Sequence, residues 1–393
     1  MRQESFKNIN LLKWFNLCAD FRLYSPIAVL YFETITNSYA EALLILSFAM
    51  FATAAFELPT GVFSDIYGRK KALIAGQLAE ALSILIYCIS GTFWMLALAA
   101  ILHGLCNAFF SGNNSALLYD SLKENNLESE YPKWEGRNSS MLQFALGSSA
   151  LIAGLLLYLD TSKESYKVLF FLSVIPQVIG LAIAFRVVEP RSHSDRIKNN
   201  PLVHVGQALA EFRGNIRLRT LSIISILDMG LGQANKYLFP FFTATLWPVW
   251  AIPFANFVKH LLVALGLRMS HIFIKKFGAT RLMLAVKSVN DCVQIYFTAL
   301  PNFFSPLTNL LEGFLWGLGN VAQNNLLQKE FSDKQRATMG SLNSLGGAVL
   351  FSILAYVLGL LADSVGPAKA LLLANILSFT SIFFYWRLFK HKG

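Results

Sequence analysis

The stretch ELPTGVFSDIYGRKK, residues 57–71, decides how this chain folds, and it connects two strongly apolar segments. These segments, residues 38–60 and 72–91, are each long enough to cross about 30 Å of hydrocarbon as a helix. The stretch ends in three consecutive basic residues, which is typical of a loop that stays on the cytoplasmic side of a membrane. It therefore predicts a hairpin of two membrane-spanning helices.

Composition extends this prediction to the whole chain. Of its 393 residues 55% are hydrophobic and only 14% are charged, and the mean hydropathy is +0.49. Such a chain has too little polar surface for a soluble protein of its length. Its four cysteines lie in apolar segments without metal-ligand spacing, which indicates buried free thiols.

Twelve apolar spans can be drawn along the chain. They cover residues 11–33, 38–60, 72–91, 93–119, 138–159, 167–188, 218–245, 250–272, 281–300, 304–328, 338–361 and 368–388. Lys and Arg concentrate in the termini and the even-numbered loops, so both termini are predicted to be cytoplasmic. The net charge of +10 is thus an orientation signal of a multi-pass membrane protein, and nucleic acid is not an expected partner.

An internal repeat relates the two halves of the chain. When HGLCNAFFSGNNSALLYD, from residue 103, is aligned with EGFLWGLGNVAQNNLLQK, from residue 312, Gly104 meets Gly313. At nearly the same offset, Asp20 of the first span meets Asp228 of the seventh. Several matches in the same order predict a duplicated unit of six helices.

A polar segment, residues 189–217, separates the halves. Asn200 followed by Pro201 is a good helix start, and apolar residues then recur at helical spacing. This pattern favours a short amphipathic helix on the inner membrane surface, with a plain solvated connector as the alternative. The sequence thus predicts an N-terminal six-helix bundle over 1–188, a cytoplasmic linker, and a C-terminal six-helix bundle over 218–393.

The loop after the second span resembles that of a transporter family. Gly61, Asp65, Gly68, Arg69 and Lys70 reproduce the pattern Gly-x-x-x-Asp-x-x-Gly-Arg-Lys that the major facilitator superfamily carries there. The resemblance implies an all-α membrane protein with twelve transmembrane helices in two pseudo-symmetric six-helix halves. It also implies secondary transport by alternating access around a site near the midplane.

The same resemblance implies a role for these five residues as a conformational gate, and we call residues 57–71 the signature loop. In the family this loop stabilises the outward-facing state by bridging the halves. Asp65 can pair with Arg69, or with a cation or helix N-terminus of a neighbouring helix. The alternative is that the basic residues only set topology. The second copy, residues 271–281, keeps Gly278 but lacks the acid and the Arg-Lys pair, so the gate is predicted to be asymmetric.

Polar side chains within the spans are the candidate substrate-cavity residues, because ionisable groups in hydrocarbon are energetically costly. In the fold that the chain resembles, spans one, four, seven and ten line the central cavity. The candidates on these spans are Arg22, Asn107, Asn113, Asn114, Gln233, Lys236, Glu312, Asn320, Gln323 and Asn324. Elsewhere, Lys287 and Asp291 are spaced for an ion pair on one helix face, and His103 is interpreted as a hydrogen-bonded packing residue.

Proton coupling requires a buried carboxyl group whose charge responds to its neighbours. The candidates are Asp20, Glu57 and Asp228, in that order. Asp20 and Arg22 are two residues apart and would point in different directions on one helix, so at least one needs a partner on another helix. A structural ion pair of Asp20 with an Arg or Lys of another helix is the alternative.

Motifs for enzymatic chemistry are missing from the sequence. It has no phosphate-binding loop and no metal-ligand cluster, so we predict neither an enzyme nor a cofactor. Two departures weaken assignment to the drug antiporters of the superfamily: Ala100 stands where they usually carry arginine, and no proline lies between Gly147 and Gly154. The chain looks more like bacterial permeases that are often labelled multidrug or sugar transporters.

The sequence therefore predicts a secondary active transporter that moves a small organic solute across the inner membrane. Protons are the expected driver, with Na⁺ as the alternative ion, and export is ranked ahead of uptake. A proton-coupled nutrient importer is the alternative within transport. A non-transporting membrane sensor or assembly factor is the alternative from another class. A monomer embedded in the lipid bilayer is expected.

Overall fold

The structure is a computed structural model that describes residues 2–190, 216–330 and 336–390, and it contains no strand within these ranges. The predicted amphipathic helix after Asn200 and most of the predicted linker lie outside the described residues. Short 3-10 turns occur at Ser25–Ile27, Glu128–Glu130 and Ser305–Leu307.

Fifteen α-helices fall within the described ranges. Those before the linker are α1 (Arg2–Asp20), α2 (Ala28–Thr36), α3 (Tyr39–Tyr67), α4 (Arg69–Ile89), α5 (Phe93–Phe110), α6 (Asn113–Glu124), α7 (Tyr131–Leu159) and α8 (Lys163–Arg186). Those after it are α9 (Ile216–Ala244), α10 (Ala251–Phe277), α11 (Ala279–Ala299), α12 (Thr308–Glu330), α13 (Arg336–Val365), α14 (Pro367–Thr380) and α15 (Ile382–Lys390).

Eight helical segments of the described chain are long and apolar enough to cross a membrane. They are Tyr39–Tyr67, Arg69–Ile89, Phe93–Glu124, Glu128–Leu159, Lys163–Arg186, Ala251–Phe277, Gly340–Val365 and Pro367–Leu388. The other predicted spans, namely one, seven, nine and ten, are also helical, but they carry many of the polar residues discussed below. An all-α membrane protein is therefore confirmed.

The chain divides into two compact units. The first unit consists of Met1–Ile35 and Phe48–Lys198, and the second consists of Thr36–Ser47 and Asn199–Gly393. The start of α3 thus belongs to the second unit. The bundle boundaries inferred from the sequence stay predictions.

Within the second unit, Asp363 of α13 caps the start of α3. Its carboxylate accepts hydrogen bonds from Tyr39 N at 2.7 Å, Ala40 N at 3.2 Å and Ser38 Oγ at 2.7 Å. The first amides of a helix have no partner within the helix, and a negative charge there is favourable for the helix dipole. Asp363 therefore fixes where α3 begins.

Span one is not the continuous helix that the sequence predicted. Helix α1 ends at Asp20, and the chain passes through an irregular turn before α2 begins. Pro26 contributes to this break because it has no amide hydrogen and disfavours a helical residue before it. Arg22 lies in the turn, where its Nε donates to the carbonyl oxygen of Ala19 at 3.0 Å. Asp20 and Arg22 therefore do not share one helix, which corrects the geometry assumed from the sequence.

Helix α8 provides the hydrogen bonds that this break requires. Leu23 N donates to Ser173 Oγ at 2.9 Å, and Gln177 Nε2 donates to the carbonyl oxygens of Cys18 at 3.2 Å and Ala19 at 3.4 Å. Irregular backbone at membrane depth persists only where protein or water satisfies its polar groups. These hydrogen bonds therefore stabilise the break within the first unit.

Span four is also interrupted, between α5 and α6. Gly112 has a φ of +70°, a conformation that residues with a side chain rarely adopt. The corresponding span of the second half, α12, runs without a break. The two halves therefore differ in detail at this position.

The aligned glycines of the repeat, Gly104 and Gly313, both lie where two helices approach each other closely. A Cβ atom at Gly104 would overlap the carbonyl oxygen of Ala49 on α3, and one at Gly313 would lie 2.8 Å from Cγ of Lys259 on α10. Small residues allow membrane helices to approach closely. A shared contact at aligned positions is what an internal repeat predicts.

Candidate functional site

A fully buried carboxylate is the centre of a polar cluster in the first unit. Glu80 of α4 is 0% exposed, and its Oε1 lies 3.1 Å from Arg22 Nε and accepts a hydrogen bond from Tyr24 OH at 3.3 Å. Its Oε2 lies 2.7 Å from Nδ1 of His103 on α5. We call Glu80, Arg22, Tyr24 and His103 the Glu80 cluster. A buried charge is tolerated only when such partners compensate it.

Asp20 lies at the border of the Glu80 cluster. Its charge interacts with those of Arg22, Glu80 and His103. The structure therefore brings the candidates Asp20 and Arg22 into one electrostatic environment with two groups from other helices. His103 is hydrogen-bonded, which agrees with its interpretation as a packing residue.

A lysine is the centre of a second polar cluster, in the second unit. Nζ of Lys287 on α11 lies 3.0 Å from Asp291 Oδ2 and 3.8 Å from Oδ1 of Asp228 on α9. It also donates to Ser378 Oγ of α14 at 2.5 Å. The ion pair between Lys287 and Asp291 that the spacing predicted is thereby confirmed.

Two further groups bond to Asp228. Tyr385 of α15 donates its hydroxyl to Oδ2, and Gln323 of α12 donates to the same oxygen at 3.3 Å. Because these partners come from two more helices, Asp228 connects α9, α11, α12 and α15. The residues Lys287, Asp228, Asp291, Ser378 and Tyr385 are called the Lys287 cluster.

A separate ion pair joins α10 to α12. Nζ of Lys259 lies 3.0 Å from Glu312 Oε2 and donates to Asn309 Oδ1 at 2.5 Å. The side chains of Lys259 and Glu312 are 17% and 30% exposed. The candidate Glu312 is therefore neutralised by a lysine from span eight, which is not one of the four spans expected to line the cavity.

The Lys287 cluster, except for Asp291, lines a cavity of about 550 Å³ within the second unit, together with this ion pair. Six of the predicted candidates line it: Asp228, Gln233, Lys236, Glu312, Asn320 and Gln323. The side chain of Asn324 lies outside the described residues. The wall also contains further polar residues and three aromatic ones, namely Asn235, Lys259, Lys287, Asn290, Gln294, Asn375, Ser378, Tyr385, Phe239 and Trp316. The cavity thus has the mixed lining of a solute site.

The span-four asparagines do not form one group. Asn113 accepts a hydrogen bond from Ser64 Oγ at 2.8 Å and donates to the carbonyl oxygen of Arg69 at 3.1 Å, so it contacts the signature loop. Asn114 donates to Oδ1 of Asn16 on α1 at 3.2 Å. These contacts hold the two residues against different segments of the first unit.

Asn107 and Glu57 complete the first-unit candidates. Asn107 is partly buried on α5, one turn after His103. Glu57, partly buried on α3, accepts a hydrogen bond from Ser111 Oγ at 3.0 Å. Glu57 therefore lies beside the break in span four.

The signature loop is fixed by carboxylates from two other segments. Gly68 has a φ of +100°, and the carboxylate of Glu189 accepts hydrogen bonds from Arg69 N at 2.8 Å and Lys70 N at 2.7 Å. Glu189 thus neutralises the N-terminus of α4. Arg69 Nε lies 2.7 Å from Asp120 Oδ2. Asp65 is exposed at the end of α3.

The second copy of this loop keeps the backbone turn but has a different environment. Gly278 has a φ of +77° and precedes α11 as Gly68 precedes α4. A Cβ atom at Gly68 would lie 2.8 Å from the carboxyl group of Glu189, whereas one at Gly278 would meet nothing within 4 Å in the described structure. Both copies therefore have the same backbone turn, and the first copy is also contacted by the carboxylate of Glu189.

The site residues predicted from the sequence did not include Glu80, Asp120, Glu189, Lys259 and Tyr385. For Glu80 a signal was available, because Arg22 needed an acid from another helix and Glu80 is among the few acids within the spans. Asp120 and Glu189 lie far from the loop in sequence, so only the folded chain shows these contacts. Within the described ranges, no group of three or more His, Cys, Asp or Glu residues could hold a metal ion.

The family model described as "Major Facilitator Superfamily" matches residues 15–355. The MFS-type transporter YxaM of Bacillus subtilis (strain 168) is 23% identical over 372 residues, which are 90% of either chain. A Na(+), Li(+), K(+)/H(+) antiporter of Planococcus maritimus is 23% identical over 190 residues, covering 47% of this chain and 42% of the antiporter.

Solved structures agree in fold. The nucleoside transporter NupG has a TM-score of 0.75 at 14% identity, covering 98% of this chain and 99% of NupG. A D-xylose-proton symporter has a TM-score of 0.78 at 12% identity, covering 99% and 98% of the two chains. At such low identity these likenesses show the fold alone.

Proposed function

The chain belongs to the Major Facilitator Superfamily, and we propose that it moves a small organic solute across a bacterial inner membrane by proton-coupled alternating access. The second-unit cavity carries this proposal, because its wall places acids, lysines and amides on helices that we assign to the membrane. Such groups are costly in hydrocarbon and mark solute and ion pathways. We further propose a monomer with both termini in the cytoplasm.

Among the proton candidates, Asp228 has the most suitable surroundings. It lines the cavity and shares Lys287 with Asp291, so protonation of Asp228 still leaves the lysine paired. Asp20 interacts with the Glu80 cluster, and Glu57 bonds to Ser111. We therefore place Asp228 first, ahead of Asp20 and Glu57.

The test is a flux assay on purified protein in proteoliposomes with an imposed pH gradient and a panel of metabolites and drugs. We expect at least one solute to move with the gradient, Asp228→Asn to abolish pH-driven movement, and Asp20→Asn to weaken it less. Glu164→Gln is a control because that carboxylate is 77% exposed. If no compound moves and no proton flux appears, the proposal fails, and the sensor or assembly-factor alternative replaces it.

Export is ranked ahead of uptake, and the similarity to a proton antiporter supports this order. The orientation of the gradient separates the two. An exchanger accumulates solute when the lumen is acidic, because protons leave as solute enters, whereas a symporter does so when the lumen is alkaline. Accumulation with an alkaline lumen would assign the nutrient-importer alternative. Accumulation driven by a Na⁺ gradient at constant pH would assign Na⁺ as the coupling ion.

We also propose that the signature loop, with Gly61, Asp65, Gly68, Arg69 and Lys70, governs the rate of conformational exchange. Support comes from three contacts of Arg69 with other segments. Its amide donates to Glu189, its carbonyl oxygen accepts from Asn113, and its guanidinium pairs with Asp120. Asp65→Asn should slow turnover and leave solute affinity nearly intact. Asp160→Asn, at the exposed loop before α8, is the matched control. A large affinity loss at normal turnover would contradict this role.

A further inference from the structure

Lys236 differs from the other two lysines that line the cavity. Lys259 and Lys287 both lie within 4 Å of a carboxylate oxygen, whereas no described carboxylate oxygen lies within 4 Å of Lys236 Nζ. Lys236 is exposed, and its ammonium lies 5.0 Å from the ring centre of Tyr237. An ammonium group inside a membrane-spanning helix needs water or an anion to compensate its charge.

The acids in and beside the cavity are paired with the other two lysines. Glu312 is bound to Lys259. The two acids Asp228 and Asp291 bind Lys287 instead. The cavity is therefore polarised, with unneutralised positive charge at Lys236.

Two amides beside Lys236 have unused hydrogen-bonding capacity. Gln233 lies three residues before Lys236, and both line the cavity. The side-chain oxygens of Gln233 and Asn235 are buried and have no hydrogen-bond partner within the described structure. These oxygens accept hydrogen bonds, so they can bond a hydroxyl or N–H group of a solute, and only the NH2 group of the same amide can bond an anionic oxygen. Trp316, 51% exposed, adds an apolar surface to the same wall.

We propose that the transported solute is an organic anion whose carboxylate or phosphate binds Lys236, with Gln233 bonding next to it and Trp316 covering its apolar part. The inference rests on the proposed transport function and specifies the solute class of the same cavity. A lysine binds either anion as a compact charge, so the structure points to the charge that the two groups share.

The experiment measures thermal stabilisation of the purified full-length chain by matched pairs of compounds. The pairs are benzoate with benzamide, glucose 6-phosphate with glucose, and uridine monophosphate with uridine. We expect the anion of at least one pair to raise the unfolding midpoint and its neutral partner to leave it unchanged. Lys236→Gln should abolish this shift and Lys236→Arg should retain most of it.

Lys276→Gln is the matched control, because Lys276 also stacks beside a neighbouring aromatic ring, at 5.3 Å from Phe277, and does not line the cavity. An unchanged anion shift in Lys236→Gln, or no shift with any of the three anions, would overturn the inference.

The readout separates this inference from the proposed function. Transport of a neutral or cationic solute without any anion effect would refute the inference and leave the function standing. Anion stabilisation that depends on Lys236, without flux of any solute, would refute transport and keep the binding site.

Discussion

The two polar clusters are built on opposite charges. In the first unit one acid, Glu80, pairs with two bases, Arg22 and His103. In the second unit one base, Lys287, pairs with two acids, Asp228 and Asp291. Each cluster therefore has a central residue whose loss removes the partner of two others, and outer residues whose loss leaves the others paired.

The clusters also differ in their access to solvent. Glu80 is 0% exposed, whereas the side chain of Asp228 is 23% exposed and lines the cavity. A closed ion cluster fixes helix positions, because breaking it leaves uncompensated charge in a low-dielectric interior. A cluster that opens on a cavity can exchange protons or ions. From this difference we expect a structural role for the Glu80 cluster and a role in transport for the Lys287 cluster.

The largest expected effect is on the first cluster. Glu80→Ala should lower the free energy of unfolding by about 3–5 kcal/mol, because Arg22 and His103 lose the acid that compensates them. The measurement is the thermal midpoint of the purified protein in detergent.

Glu80→Gln provides a second measurement if the alanine variant does not fold, because it keeps the shape and removes the charge. Glu164→Ala is the matched control for loss of an exposed carboxylate that pairs with a lysine. Its effect should be small, since exposed ion pairs contribute roughly 0–1 kcal/mol. Equal losses in Glu80→Ala and Glu164→Ala would contradict the structural role of the Glu80 cluster.

Sequence reasoning predicted the fold because hydrophobic length and the distribution of basic residues are local properties. The polar positions of spans seven and ten were found in the same way, since Asp228 and Gln323 stand out within apolar runs. The ion pair between Lys287 and Asp291 followed from helical spacing alone. These features need no knowledge of which helices are neighbours.

Partners between helices were beyond the reach of that reasoning. The spans expected to line the cavity excluded span three, which carries Glu80, and span eight, which carries Lys259. The break after Asp20 was missed because span one was drawn from its overall apolar length, although Pro26 was a local signal. The break also depends on hydrogen bonds from Ser173 and Gln177 of a distant helix, which the sequence does not show.

A smaller stability effect is expected at the centre of the second cluster. Lys287→Met should lower the free energy of unfolding by roughly 2–3 kcal/mol, because Asp228 and Asp291 then repel each other. Access to the cavity should keep this loss below that of Glu80→Ala. Lowering the pH should restore stability, because protonation of Asp228 removes one of the two like charges. A loss as large as that of Glu80→Ala, or no recovery at low pH, would contradict the comparison.

The smallest stability effect is expected for Asp228→Asn. The amide can keep its bonds with Tyr385 and Gln323, and Lys287 remains paired with Asp291 at 3.0 Å, so the loss should be about 1 kcal/mol or less. Asp291→Asn is the matched comparison, and it should destabilise more, because the Asp291 side chain is only 3% exposed and provides the shorter ion pair.

The thermal midpoint and the pH-driven flux of Asp228→Asn should be measured on one preparation. If transport is lost while the midpoint is nearly unchanged, the role of Asp228 lies in coupling, as its position on the cavity wall leads us to expect. If Asp228→Asn destabilises the protein as much as Lys287→Met does, Asp228 has a structural role like that of Glu80. The difference between the two clusters would then be one of charge sign alone.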